Sequence, residues 1–170
     1  MAKIDSKLKT LILVRHAKSS WHDLSISDFD RKLDDRGKRD APVMASRLLH
    51  ADIKIDAFVS SPAKRAVKTA KVFMKSYEAS KEQLVLVPAI YEASLQILMA
   101  VVEGFDNQWG TVALFGHNPG ISDLANYFKG HNMISMPTCA VFGVKFDVDK
   151  WEEFRIAEPQ GFLYDFPKNQ

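Results

Sequence analysis

Short apolar runs alternate along this chain with longer stretches whose apolar residues recur every three to four positions. Leu11 to Arg15 is a nearly continuous apolar run, the kind covered on both faces of a sheet. A polar, charged loop follows, from Lys18 to about Arg36. Ala41, Met44, Ala45, Leu48 and Leu49 then fall on one helical face. Pro42 fits such a helix only in its first turn, so a start near Lys38 to Asp40 is expected. Ile55 to Ser60 reads as a strand. The next helix opens with Ser61 as N-cap and Pro62 at its first position, and buries Ala66, Ala70, Phe73 and Tyr77. The alternation continues with a short strand, Leu84 to Pro88, and a helix face of Leu95, Leu98, Met99 and Val102. Thr111 to Phe115 is another strand. Asn118-Pro119 repeats the cap-plus-Pro start before Ile121, Leu124, Ala125 and Phe128. Cys139 to Phe146, roughly Glu153 to Ile156, and Phe162 to Phe166 read as closing β segments.

Strands alternating with helices imply right-handed crossovers and a mainly parallel sheet. The expected fold class is α/β, a three-layer α/β/α sandwich with the last segments adding an antiparallel edge. No Pro/Gly/Ser-rich linker or internal repeat divides the chain, so residues 1–170 are expected to form a single domain. Composition changes this picture little, because 46% hydrophobic and 26% charged residues is ordinary globular usage. A formal net charge of +2 gives no argument for a nucleic-acid partner. The lone Cys139 rules out an internal disulfide and reads as a buried structural thiol, and no Cys/His cluster has zinc spacing. Met1 to Lys7 is polar, without an apolar signal core, and no apolar stretch reaches membrane-spanning length. A cytoplasmic protein with no membrane partner is the expectation.

The candidate chemistry sits at strand ends. In a parallel sheet these ends share one edge, where ligands bind. Arg15-His16, Ser61 to Arg65, and Gly116-His117-Asn118-Pro119-Gly120 would gather two arginines and two histidines there. Such a cationic cup suits a phosphoryl group. Alone, each histidine would read as a hydrogen-bonded structural residue. Arg15 beside His16 tips the balance, because a guanidinium leaving an apolar strand needs a partner and a neutral imidazole is a competent nucleophile. Arg65 lies in the first turn of its helix, where a cation is tolerated if an anion is shared with the helix N-terminus. Lys64, Lys68, Lys71 and Lys75 form a stripe on the same helix, either a solvated face or a dock for an acidic partner. Glu92 is the only carboxylate this arrangement brings to the same edge. His22, Asp23, Asp28 and Asp30, in a loop with Arg31 and Lys32, read as solvated charge rather than metal ligands. Phosphate-loop, dinucleotide, zinc-protease and nucleophile-elbow motifs are all absent.

Together these residues resemble a known family. Arg15-His16-Ala17-Lys18-Ser19-Ser20-Trp21 resembles the R-H-G/A signature of the histidine phosphatase superfamily, the phosphoglycerate-mutase-like fold. Ser60 to Ala70 is similar to its S-S-x-x-x-R-A-x-x-T-A element, and Gly116 to Gly120 to its second-histidine motif. The wording around His16 and the short length resemble the small SixA-type phosphohistidine phosphatases. The resemblance implies that His16 is the nucleophile and becomes phosphorylated, while Arg15, Arg65 and His117 bind the phosphoryl oxygens. It places Asn118 and Ser19 among the substrate contacts and implies no metal or organic cofactor. Many relatives carry a phosphate-contacting Asn where His22 follows Trp21, which leaves open whether His22 takes that contact. Glu92 is placed by position as the proton donor. The expected substrate is a phosphorylated protein, such as a histidine-phosphotransfer domain, or else a small phosphomonoester. A phosphate-binding module without turnover is the alternative from a different class.

Overall fold

The computed structural model describes residues 8–130 and 135–169; the polar stretch Met1 to Lys7 lies outside them. Six strands form one sheet: β1 Lys9–Arg15, β2 Ala57–Ser60, β3 Leu84–Leu86, β4 Thr111–Gly116, β5 Val141–Phe146 and β6 Gln160–Asp165. Their spatial order is β3-β2-β4-β1-β5-β6. The first four strands are mutually parallel, whereas β5 runs antiparallel to both β1 and β6. Four helices connect them: α1 Asp35–His50, α2 Lys64–Ser76, α3 Leu95–Glu103 and α4 Gly120–Lys129.

Successive residues of a strand face opposite sides of the sheet, so a wholly apolar strand feeds two cores. Ile12 and Val14 of β1 pack with Met44 and Leu48 of α1 and Phe73 of α2. Leu11 and Leu13 pack on the other face with Leu98 of α3 and Leu124 and Phe128 of α4. The architecture is therefore the expected three-layer α/β/α sandwich with a mainly parallel sheet.

Several element boundaries differ from expectation, each for a local reason. Helix α1 begins at Asp35 because the Asp34 side chain accepts the Gly37 N–H, which leaves Pro42 inside the helix rather than in its first turn. Gly37 is required there, since a Cβ would collide with the Lys18 carbonyl. Helix α2 begins only at Lys64. Ser61 stays aligned with the sheet, its N–H donating to Phe115 O, and so it does not cap the helix. Pro88 opens a short 3₁₀ turn instead of ending β3. Glu153 to Ile156 is not a strand: Trp151–Glu153 form a 3₁₀ turn, and Trp151 and Phe154 are buried in the core. Apolar residues three apart there follow a helical turn, not a pleat.

Candidate active site

The parallel register builds the site. Arg15 pairs with Gly116 and Ser60 with Phe115, so the residues that follow, His16, His117 and Ser61, emerge side by side from three neighbouring strand ends. The imidazole rings of His16 and His117 lie 5.1 Å apart. His16 is only 7% exposed. Its Nδ1 lies 2.8 Å from the Ala17 carbonyl, and a carbonyl only accepts, so Nδ1 carries the hydrogen. Nε2 is therefore left with its lone pair, and it accepts from Arg65 Nε at 3.3 Å. Thr69 locks this arrangement by accepting from Ala17 N–H at 2.9 Å and donating to Arg65 O at 2.7 Å.

His117 Nε2 lies 2.7 Å from Ser61 Oγ, which already accepts from the Ala63 N–H. If the hydroxyl hydrogen points to Nε2, the imidazole hydrogen sits on Nδ1, a buried atom with no partner among the described residues. Arg15 Nε is likewise buried without a partner among the described residues, while Arg15 Nη1 donates to Met136 O at 3.0 Å. Asn118 spans the same side: its Nδ2 donates to Met136 O at 3.0 Å, and its Oδ1 accepts from Ser122 Oγ at 2.6 Å.

Burial and the neighbouring positive charges of His117, Arg65 and Arg15 lower the His16 pKa to about 3, against a raising contribution from the Ala17 hydrogen bond. Burial, Arg65, Arg15 and Arg31 lower that of His117 to about 4, with Asp28 opposing. Both imidazoles are neutral at physiological pH. Beside two arginines, His16 is an uncharged base in a positive field, which is what an attack on a phosphoryl anion requires.

Sequence comparison agrees with this geometry. The profile of the histidine phosphatase superfamily (branch 1) matches residues 11–97, just over half of the chain. The chain belongs to the histidine phosphatase superfamily. On that footing this histidine phosphatase is a hydrolase of phosphoryl compounds. It is 29% identical over 163 residues to an uncharacterised chloroplastic protein of Arabidopsis thaliana, covering 91% of the chain and 74% of that protein. Its fold matches the protein histidine phosphatase SixA complexed with tungstate, with a TM-score of 0.80 at 19% identity over 94% of the chain and 98% of that structure. It also matches SixA of Agrobacterium tumefaciens, with a TM-score of 0.77 at 21% identity over 91% and 97% of the two chains.

Of the residues expected at the site, Arg15, His16, Arg65 and His117 are brought together, with Asn118 one residue further on. Ser19 is buried but its hydroxyl is engaged by Arg31 Nη1. His22 is exposed, and its ring makes no hydrogen bond among the described residues. Glu92 is exposed at the turn before α3, in a left-handed backbone conformation (φ 55°) that costs a non-glycine residue energy. Among the described residues it forms no hydrogen bond or ion pair. Asp28 is the correction. Although its side chain is still exposed in part, it binds Arg65 Nη2 at 3.0 Å, Arg31 Nη2 at 2.9 Å and Tyr91 OH at 2.7 Å. Ser61, Thr69, Arg31 and Tyr91 were also missed as site residues. The Asp28–Arg31 spacing was visible in the chain, but Arg65 and Tyr91 lie 37 and 63 residues from Asp28, beyond any local pattern. Among the described residues, no group of three or more His, Cys, Asp or Glu is placed to hold a metal ion.

Proposed function

We propose that this chain hydrolyses phosphohistidine in a protein through a phosphorylated His16. The observation that carries this reading is the tautomer of His16: Nδ1–H bonded to Ala17 O and an unprotonated Nε2 that meets Arg65 Nε at 3.3 Å, with the His117 ring 5.1 Å away. In the first step the Nε2 pair attacks phosphorus, forming an N–P bond while the substrate's own P–N bond breaks. The departing ring, protonated by solvent on its other nitrogen, keeps the electron pair of the broken P–N bond and leaves as neutral imidazole. In the second step a water attacks phospho-His16, breaking the N–P bond, and inorganic phosphate leaves with His16 restored. Arg15, Arg65 and His117 hold the equatorial oxygens in both steps, and the unpartnered N–H groups of Arg15 and His117 find acceptors in them.

An imidazole with a pKa near that of free histidine, about 6.5, leaves more easily than an alkoxide. An exposed Glu92 without hydrogen bonds is therefore no obstacle to this substrate, whereas an alkyl phosphate would depend on it. The surroundings of the cup also suit a protein. Trp21, Leu24, Ile26 and Phe29 are exposed on the loop that carries Asp28, and Lys64, Lys68, Lys71 and Lys75 are exposed on the helix that carries Arg65. A macromolecule seated on the cup would meet apolar and cationic surface at once.

The test is phosphate release from a phosphorylated histidine-phosphotransfer protein, p-nitrophenyl phosphate and a panel of sugar phosphates, for the native chain and His16→Ala. Fast release from the phosphoprotein alone, lost in His16→Ala, is expected. Preference for a small ester would replace this reading with a phosphomonoesterase. Phosphate binding without turnover on any substrate would leave a binding module.

A further inference from the structure

We propose that Asp28 is the positioning residue of this site: its carboxylate aims Arg65 at His16 and keeps the cup from retaining phosphate. The inference rests on the reading of His16, Arg15, Arg65 and His117 as a phosphoryl site. Two segments distant in sequence converge on this one carboxylate and meet Arg31 of its own loop there. Oδ2 accepts from Arg65 Nη2 of α2 at 3.0 Å and from the Tyr91 hydroxyl of the turn before α3 at 2.7 Å. Oδ1 accepts from Nε and Nη2 of Arg31 at 3.2 and 2.9 Å. The backbone carbonyl of Asp28 adds a further acceptor for Arg65 Nη1.

The donor count of Arg65 shows what this accomplishes. A guanidinium has five N–H groups in a rigid plane. One N–H goes to His16 Nε2, one to Asp28 O and one to Asp28 Oδ2. Two of the five remain for a phosphoryl group. With the outer nitrogens tied to Asp28, the plane of the fork is set and Nε points at the nucleophile. Arg65 is 5% exposed, so once it loses Asp28 no solvent takes over the task.

The same carboxylate tempers the charge. Arg15, Arg65 and Arg31 all act on His117 electrostatically, and Asp28 opposes them. It is an anion built into the rim of the cup, with a side chain 42% exposed, and it competes with phosphate for the outer edge of Arg65. A cup with three guanidiniums and no such counter-charge would hold the product more tightly than turnover tolerates, because only binding that is stronger in the transition state accelerates the reaction. Positioning and tempering then make opposite predictions for affinity and for rate, which separates them from a merely structural role.

The experiment uses two variants, read with inorganic phosphate by titration calorimetry and with a phosphorylated histidine-phosphotransfer protein by steady-state phosphate release. Asp28→Asn keeps the shape of the side chain and removes its charge. It should tighten phosphate binding by roughly 5- to 10-fold and lower kcat by about 10-fold or more, the scale expected when a charge-assisted partner of a clamp residue is lost. Tyr91→Phe removes one hydrogen bond and no charge, so kcat should fall by roughly 2- to 5-fold with phosphate affinity unchanged. Weaker phosphate binding in Asp28→Asn, or kcat equal to that of the native chain, would overturn the proposal. So would tightening in Tyr91→Phe as large as in Asp28→Asn. If Asp28→Asn fails to fold, an unchanged kcat in Tyr91→Phe overturns it, and a reduced kcat at constant affinity supports it. A native chain that binds phosphate but hydrolyses nothing defeats the functional reading, and phosphate affinity still decides the role of Asp28. A native chain that does neither defeats both.

Discussion

Keeping two imidazoles neutral inside the fold carries a stability cost in acid that can be worked from the structure. His16 is lowered to about 3 and His117 to about 4, in each case chiefly by burial. The unfolded chain binds a proton on each near pH 6.5. The sign follows from proton counting. Above pH 6.5 neither state is protonated at these residues and their contribution is fully present. As pH falls below 6.5, the unfolded chain gains protons that the folded chain refuses, so stability drops until the folded values near 4 and 3 are reached. Integrated from pH 7 to pH 5, each histidine costs about 2 kcal/mol, and the pair about 4 kcal/mol. His16→Asn removes one titrating group and keeps a polar side chain beside Ala17 O, so it should lose about half as much from this source over the same interval. Urea unfolding at pH 7 and pH 5, in phosphate-free buffer because a bound anion would add its own stabilisation, measures the difference. Carboxylates contribute equally to both proteins and cancel. Equal losses for the native chain and the variant would refute the reasoning, as would a His16 NMR titration midpoint near 6.5 in the folded protein.

Three further outcomes are expected. Arg65→Lys keeps a charge but has no fork to span His16 and Asp28, and should lower kcat by about 10²–10³-fold; full retained rate would show that charge alone suffices. Ser61→Ala leaves His117 Nε2 without its partner, which should cost about 1–2 kcal/mol of stability and about 10-fold in kcat as the ring loses its orientation. Unfolding curves and steady-state kinetics on the same preparation check both. Gly120→Ala would drive a Cβ into the Ala93 carbonyl at the start of α4 and should destabilise by about 1–3 kcal/mol in urea unfolding, whereas an unchanged midpoint would mean the turn at Ala93 yields freely.

What the chain determined by itself is the alternation of apolar runs and helical faces, because these periods are local and each strand buried on both faces must be apolar throughout. From the apolar runs Leu11 to Arg15, Ile55 to Ser60 and Thr111 to Phe115 the layers follow, and with parallel strands the edge that collects Arg15, His16, Arg65 and His117 follows too. Helix starts were less legible. Ser61 and Asn118 have the composition of caps, yet neither caps its helix, and their side chains reach His117 in one case and Met136 in the other. A short polar side chain near a helix start carries no local mark of which it will do. The strand expected at Glu153 to Ile156 failed similarly, since Trp151 and Phe154 answer to the core cluster around Phe128 and Phe146 rather than to a sheet neighbour. Only the tertiary structure decided the state of His16 and the use of Asp28. The first depends on which ring nitrogen meets a carbonyl, and the second on donors that meet only when the loop between β1 and α1, helix α2 and the turn before α3 are packed together. Hydrogen-bond direction and charge pairing act over a few ångströms in space, and the chain reveals distance along itself, not that distance.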